Sequence, residues 1–327
     1  MIWTFILAIG IIVLGLGLGK WIRYLFEHQI ISNKIPLDRV LKGLLSFVLL
    51  GINPIILMGA FWHVELNDQR LFLLPLLGIL TLSLGGVLAL GLSKIYKLKN
   101  AQTGSMFVSG AFINIGSFGT LFCYLFLGEA GIAYAAMFRL FEELFYYSVC
   151  FPIAKAFGEK GNKRDMSGQK AWKRFIFDPF IMITFLAILI GGGLNISDFS
   201  RPDFFEPLNQ WLVPLSSFLL VIPLGFSMRL TAVRRYLKES LSLSAVKFVV
   251  VPITIVSLAL LVGMGEIYNG LLVKVILILS CMPPAVSSLV PPQLYKLDVD
   301  LANANWIVNT ALLIIVLPIL YFLIQIF

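Results

Sequence analysis

Histidine, cysteine and charge are all scarce in this chain, and each shortage excludes something. Of 327 residues, two are histidines and three are cysteines. His28 and His63 lie outside the apolar runs, and no HExxH or other catalytic cluster is present. The chain is therefore not expected to be an enzyme, and it implies neither a metal nor a cofactor. Cys123, Cys150 and Cys281 each fall inside an apolar run without metal-ligand spacing, so they read as small apolar packing residues. Charged residues make up 13% of the chain, roughly half the quarter or so that a soluble domain carries to hold its surface in water. Most of the surface must therefore face something other than water.

What is plentiful is apolar sequence. Hydrophobic residues make up 59% of the chain and the mean hydropathy is +0.94. Runs near twenty apolar residues recur from end to end, and about 20 residues at 1.5 Å each cross a hydrocarbon core of about 30 Å. Spans are expected near 2–22, 38–61, 70–92, 103–127, 130–156, 175–194, 207–230, 241–263, 267–290 and 301–326. The N-terminal run Ile2–Leu18 is followed by Lys20 and Arg23. A secretory signal has the reverse order, so this run reads as a retained helix that starts outside.

The net charge of +8 does not point to nucleic acid, because the basic residues sit in short connectors and no basic-aromatic patch exists. Twenty of the 25 lysines and arginines fall on one side of alternating connectors, against Arg70 and Arg201 on the other. That bias supports a multi-pass protein of the cell membrane with both termini outside. The lipid bilayer is the implied partner.

The polar stretch 158–174 divides the chain into residues 1–157 and 175–327. Five helices in each half would make the second half inverted relative to the first. Pro75 and Pro252 lie 177 positions apart, and the interruptions at Asn114 and Pro284 lie 170 apart. The fourth span reads Gly110-Ala-Phe-Ile-Asn-Ile-Gly-Ser-Phe-Gly119 and the ninth Ser280-Cys-Met-Pro-Pro-Ala-Val-Ser-Ser288. Glycines weaken the first helix, and Pro283 and Pro284 each remove a donor from the second. Backbone groups left unpaired at membrane depth are tolerated only against protein or a wet cavity. Matched interruptions in inverted repeats point to a transporter's binding site, and half-helix N-termini there favour an anion. The residues expected at that cavity are Asn114, Gly116 and Ser117 on one side and Cys281, Met282, Pro283, Pro284, Ser287 and Ser288 on the other. Asn53, Ser216 and Ser217 are expected to line it from other helices.

These blocks resemble the auxin efflux carrier family. The resemblance rests on Asn114-Ile-Gly-Ser-Phe-Gly119, Leu127-Gly-Glu-Ala-Gly-Ile-Ala-Tyr134, Val213-Pro-Leu-Ser-Ser, Pro223-Leu-Gly-Phe-Ser-Met-Arg229, the ninth-span prolines and Tyr295-Lys-Leu-Asp-Val-Asp-Leu-Ala-Asn303. It covers essentially the whole chain. It implies an all-α polytopic membrane protein with ten transmembrane helices in two inverted five-helix repeats, the broken helices 4 and 9 crossing at the substrate site. It further implies a scaffold domain of helices 1, 2, 6 and 7 and a transport domain of helices 3–5 and 8–10 that moves in an elevator-like cycle. Plant members carry auxin, and bacterial members are associated with malate, malonate and related carboxylates. The short central connector favours the prokaryotic type. The family's fourth-helix asparagine carries over to Asn114, whereas its ninth-helix polar partner does not, since Cys281 and Met282 precede the prolines. The implied ligand is a small organic anion, moved by membrane potential or protons, and a homodimer is the assembly entertained.

Arg139, Glu142 and Glu143 lie near the middle of the fifth span. Unpaired charges there would cost about 2.5–3.5 kcal/mol each, so a compensated cluster is expected, with either carboxylate within reach of the arginine. Three readings stay open: Arg139 holds a substrate carboxylate, a glutamate carries a proton, or the cluster is a structural ion pair. Lys247 and Lys274 are read as snorkelling from helix ends. Asn305 and Asn309 are expected to cross-bond neighbouring helices, and Gly15 and Gly19 to form a packing pair. A sodium-coupled symporter is the alternative, disfavoured because residues 280–288 contain no acid. A ligand-binding sensor without turnover is another.

Overall fold

The computed structural model describes residues 2–30, 36–158, 179–197, 199–228 and 233–326. From residue 159 onward, the polar central connector falls outside the described residues, as do Lys34 and Arg229. Among the described residues the regular elements are all helical. They are α1 (Ile2–Glu27), α2 (Leu37–Phe47), α3 (Asn53–His63), α4 (Leu74–Ile95), α5 (Asn100–Ala111), α6 (Thr120–Phe138), α7 (Glu142–Phe145) and α8 (Phe151–Phe157). After the connector come α9 (Pro179–Ile196), α10 (Phe205–Ser227), α11 (Leu237–Ala245), α12 (Val251–Leu261), α13 (Leu271–Ser280), α14 (Val290–Leu294) and α15 (Val299–Ile324).

Among the described residues, seven helical stretches are long and apolar enough to cross a membrane: Ile6–Glu27, Arg39–His63, Gln69–Ile95, Asn100–Phe157, Phe205–Ser227, Leu237–Leu261 and Val299–Ile324. The sequence leads one to expect ten. The difference has a physical origin in two places. Asn100–Phe157 is one run of 58 residues covering the expected fourth and fifth spans, yet its backbone turns at Gly128, whose φ of 72° belongs to the left-handed region. The expected ninth span is cut at Cys281–Ala285. The expected sixth span is the apolar helix α9, Pro179–Ile196.

Three π turns share one cause. Val48–Ile52, Tyr146–Cys150 and Val246–Val250 are each followed, two residues on, by a proline: Pro54, Pro152 and Pro252. Proline has no N–H for the carbonyl four residues back, and its ring crowds that carbonyl. Widening the preceding turn relieves the crowding and keeps the helix running. Pro75 is different. It stands in the first turn of α4, where a missing N–H costs nothing, so it does not match Pro252 in role as the sequence spacing suggests.

The chain separates into two compact units, Met1–Leu66 with Thr120–Ala133 and Phe177–Met228, and Asn67–Gly119 with Tyr134–Ile176 and Arg229–Phe327. In the first, α1 packs along α10 and α9 along α3. A Cβ on Gly15 would stand 2.9 Å from Val221 Cγ1, and one on Gly19 3.0 Å from Gly225 Cα, so glycine lets the two backbones approach, as expected of Gly15 and Gly19. Arg201 forms an ion pair with Glu129, whose Oε1 also accepts from Asn209 Nδ2 at 2.7 Å. In the second unit, α4 packs on α5, α5 on α8 and α15, and α12 on α13.

Candidate functional site

The second unit holds both interruptions. α5 ends at Ala111 and Phe112 is extended, with φ −85° and ψ 139°. Helical structure resumes as a π turn over Ile115–Gly119. α13 ends at Ser280, and the chain runs without helix until the turn Val286–Leu289. The two gaps meet directly, since Asn114 N donates to Pro283 O at 2.9 Å. Pro283 lies in the non-helical stretch between α13 and the turn Val286–Leu289, so its carbonyl is outside any helical ladder and serves the other segment.

Side chains from two other elements complete the backbone of the first gap. Lys247 Nζ donates to Gly110 O and to Phe112 O, both at 2.9 Å. Ile113 N donates to Tyr146 Oη at 2.9 Å, and Tyr146 Oη donates to Glu142 Oε1 at 2.9 Å. The Tyr146 ring stacks on Phe112 with centroids 3.9 Å apart. Glu142 Oε2 lies 2.9 Å from Arg139 Nε. Both reaching residues sit in π turns, Tyr146 in Tyr146–Cys150 and Lys247 in Val246–Val250. The prolines that widen those helices therefore shape the elements that support the gap.

One part of the cluster stays open. The Arg139 side chain is 32% exposed while Glu142 is 5% exposed. A Cβ on Gly116 would lie 3.0 Å from Arg139 Nη1, so the guanidinium covers a position that has no side chain. Ser117 beside it is half-exposed and its N–H bonds Asn114 Oδ1 at 3.3 Å. Asn114 Nδ2 is buried without a hydrogen-bond partner. A part-exposed guanidinium packed on bare glycine backbone and an unused amide donor together suit a carboxylate, which guanidinium binds in bidentate fashion.

The structure thus brings together Asn114, Gly116, Ser117, Pro283, Arg139 and Glu142. Met282 is close as well, since its Cγ lies 3.5 Å from where a Gly119 Cβ would stand. Cys281 and Pro284 are buried in the second gap. Ser287 is exposed and Ser288 is buried with an unpartnered hydroxyl. Glu143, next to Glu142, is half-buried. Asn53, Ser216 and Ser217 belong to the first unit, where Ser216 Oγ donates to Asn53 Oδ1 at 2.6 Å. Asn305 bonds neighbouring elements through Ser240 and Met106, whereas Asn309 bonds back to Asn305 O.

Lys247 corrects the snorkelling expectation. It is 1% exposed and lies eleventh in the span Leu237–Leu261, too deep for its ammonium to reach an end. The sequence signal was available, since a lysine amid Val246, Phe248, Val249 and Val250 is costly unless it has partners. Tyr146 carried no such signal, because its role depends on which backbone group lies opposite.

Comparison with known proteins is consistent across the chain. Residues 41–321 match the family described as membrane transport protein. A Rhizobium meliloti protein named "Putative malonate transporter" is 24% identical over 217 residues, covering 66% of each chain. A Methanocaldococcus jannaschii protein named as an uncharacterized transporter is 27% identical over 246 residues, covering 75% of this chain and 76% of its own.

Proposed function

The chain belongs to the membrane transport protein family, that of the auxin efflux carriers, and from that premise we propose that it carries small carboxylates of the malonate type across a bilayer. Membership makes it a multi-pass membrane transporter rather than an enzyme. The observation that carries the finer reading is the Asn114–Pro283 backbone bond at 2.9 Å, which joins two interrupted helices beside an open guanidinium. Irregular backbone at membrane depth suits a site that a solute can enter. The name of the Rhizobium meliloti relative supports a dicarboxylate.

In this reading the chain crosses the membrane ten times, in two inverted sets of five, with both termini outside. Interrupted stretches 100–127 and 271–294 form the fourth and ninth crossings. The unit that contains them carries the solute in an elevator-like cycle driven by membrane potential or protons. Glu142, linked to the gap through Tyr146, is the group placed to couple a proton.

Counterflow of radiolabelled malonate in proteoliposomes tests the proposal. Wild-type protein exchanges malonate, Asn114→Ala abolishes exchange while remaining folded and inserted, and Arg139→Gln lowers it about ten-fold or more. Wild-type exchange in both variants would remove this cluster from the site.

A further inference from the structure

The meeting of the two gaps takes a donor away from α5. In a regular helix the N–H of residue 114 would bond the carbonyl of residue 110. Here Asn114 N donates to Pro283 O instead, so Gly110 O loses its helical partner. Phe112 is extended and carries its carbonyl out of the α5 ladder. Neighbouring groups find partners along the chain. Phe112 N donates to Val108 O and Ile115 N to Ile113 O, both at 3.0 Å, and Gly119 N to Asn114 O at 3.1 Å. Gly110 O and Phe112 O instead converge on one atom, Lys247 Nζ, at 2.9 Å each. The ammonium gives back what the crossing removed.

A cation suits this place for two reasons. Both carbonyls stand at the C-terminal end of α5, the negative end of its dipole. In transporters with discontinuous helices, unwound carbonyls and half-helix C-terminal ends are the groups that coordinate a dissolved coupling ion. Here the cation is part of the chain. Lys247 is 1% exposed and is carried by the π turn Val246–Val250, so its ammonium reaches the carbonyls without being drawn from solution. A metal cation would also want a fuller set of oxygen ligands, and the crossing stretches supply no acid to build one. Residues 100–127 and 271–294 contain neither aspartate nor glutamate. The ammonium already has its two carbonyls.

We propose that Lys247 is a resident cation: its ammonium stands where other discontinuous helices hold a dissolved coupling ion, and it keeps the crossing in the form that binds solute. Lys247 acts through the backbone of the first gap and is a positioning residue. Solute binding then needs no sodium. The inference rests on the reading of the chain as a carboxylate carrier and gives a physical reason against its sodium-coupled alternative.

Equilibrium binding of radiolabelled malonate to full-length protein in nanodiscs tests it. Wild-type affinity is expected to be the same in sodium chloride and in N-methylglucamine chloride of equal ionic strength. Lys247→Ala removes Cγ, Cδ, Cε and Nζ, the heavy atoms of n-propylammonium. This variant is expected to bind malonate about ten-fold or more weakly. Added n-propylammonium chloride should restore most of that loss, and n-propanol, which fills the space without the charge, should not. A purely packing role would not tell the two apart. Lys247→Met fills the space permanently; it is expected to bind as weakly and to gain nothing from propylammonium, which keeps the test open if Lys247→Ala does not fold. The resident cation is overturned, and the carrier reading stands, if wild-type affinity rises with sodium or if either variant binds as wild type. It is equally overturned if folded Lys247→Ala answers propanol as well as propylammonium, or answers neither. If wild-type protein binds neither malonate nor other small carboxylates in either salt, the carrier reading falls and takes the resident cation with it.

Discussion

Lys247 places its ammonium group 2.9 Å from each of two carbonyls at the end of α5, where the last carbonyls of a helix have no partner of their own. A cation there also suits the negative end of the helix dipole. Lys247→Met keeps the length of the side chain and removes every donor, leaving the Gly110 and Phe112 carbonyls without this partner. A loss of about 2 kcal/mol in unfolding free energy is expected, given about 1.5–3 kcal/mol for a hydrogen bond from a charged group offset by relief of a buried charge. Tyr146→Phe retains the stack on Phe112 and strands one N–H, so its loss is expected to be smaller, about 1 kcal/mol. Denaturant unfolding in detergent gives both values, and a neutral Lys247→Met would show that the carbonyls find other partners. At this scale the sequence was partly readable. Asn114 and Pro283 declare themselves by propensity alone, because glycines and prolines weaken any helix they occupy. Tyr146 does not, because nothing in its neighbours shows that Ile113 N lies opposite its hydroxyl.

Elements are held together here by a few polar latches at their ends. Asp68 caps the turn Gln69–Leu73 by accepting from Arg70 N at 2.8 Å, and its carboxylate also takes the Arg70 guanidinium. Arg70 Nη1 reaches on to Gly263 O at 2.7 Å. Hydrogen bonding to Arg70 holds the Asp68 carboxyl below its ordinary value. A carboxyl whose folded value is depressed stabilises fully above the unfolded range and loses that contribution as pH falls through the folded value. Thermal stability is therefore expected to decline on acidification below the usual carboxylate range, and Asp68→Asn to flatten that decline. A variant whose acid limb matches wild type would show that the latch contributes nothing, as an exposed ion pair often does. Element boundaries explain why Lys247 was misread from sequence. Starting the span at residue 241 places the lysine two turns from an end, whereas the helix begins at Leu237 and carries it one turn deeper. The π turns were likewise invisible as such, although each of the prolines that cause them could be seen.

Across the whole molecule, the arginines of the base-poor connectors are held in ion pairs. Arg70 and Arg201 are the two arginines on the connectors otherwise poor in basic residues, and both are bound to carboxylates, Asp68 and Glu129. Their charge is neutralised locally, so neither presents a free cation on its connector. All-helical character and membrane residence were legible because composition and run length decide them. The ten expected crossings do not map one to one onto the seven long apolar helices among the described residues, because helices cut by proline or glycine lose the length by which a span is recognised. What organises the second unit is the meeting of two incomplete helices, and the claim that a solute sits there is open to direct measurement. Ser117 is half-exposed beside Gly116 and Arg139, while Cys123, Cys150 and Cys281 are buried. Ser117→Cys should therefore react with a small hydrophilic thiol reagent, and saturating malonate should slow that reaction several-fold while chloride at equal ionic strength does not. An alkylation rate unaffected by malonate, in a variant that still exchanges malonate in proteoliposomes, would place the solute elsewhere and contradict the account.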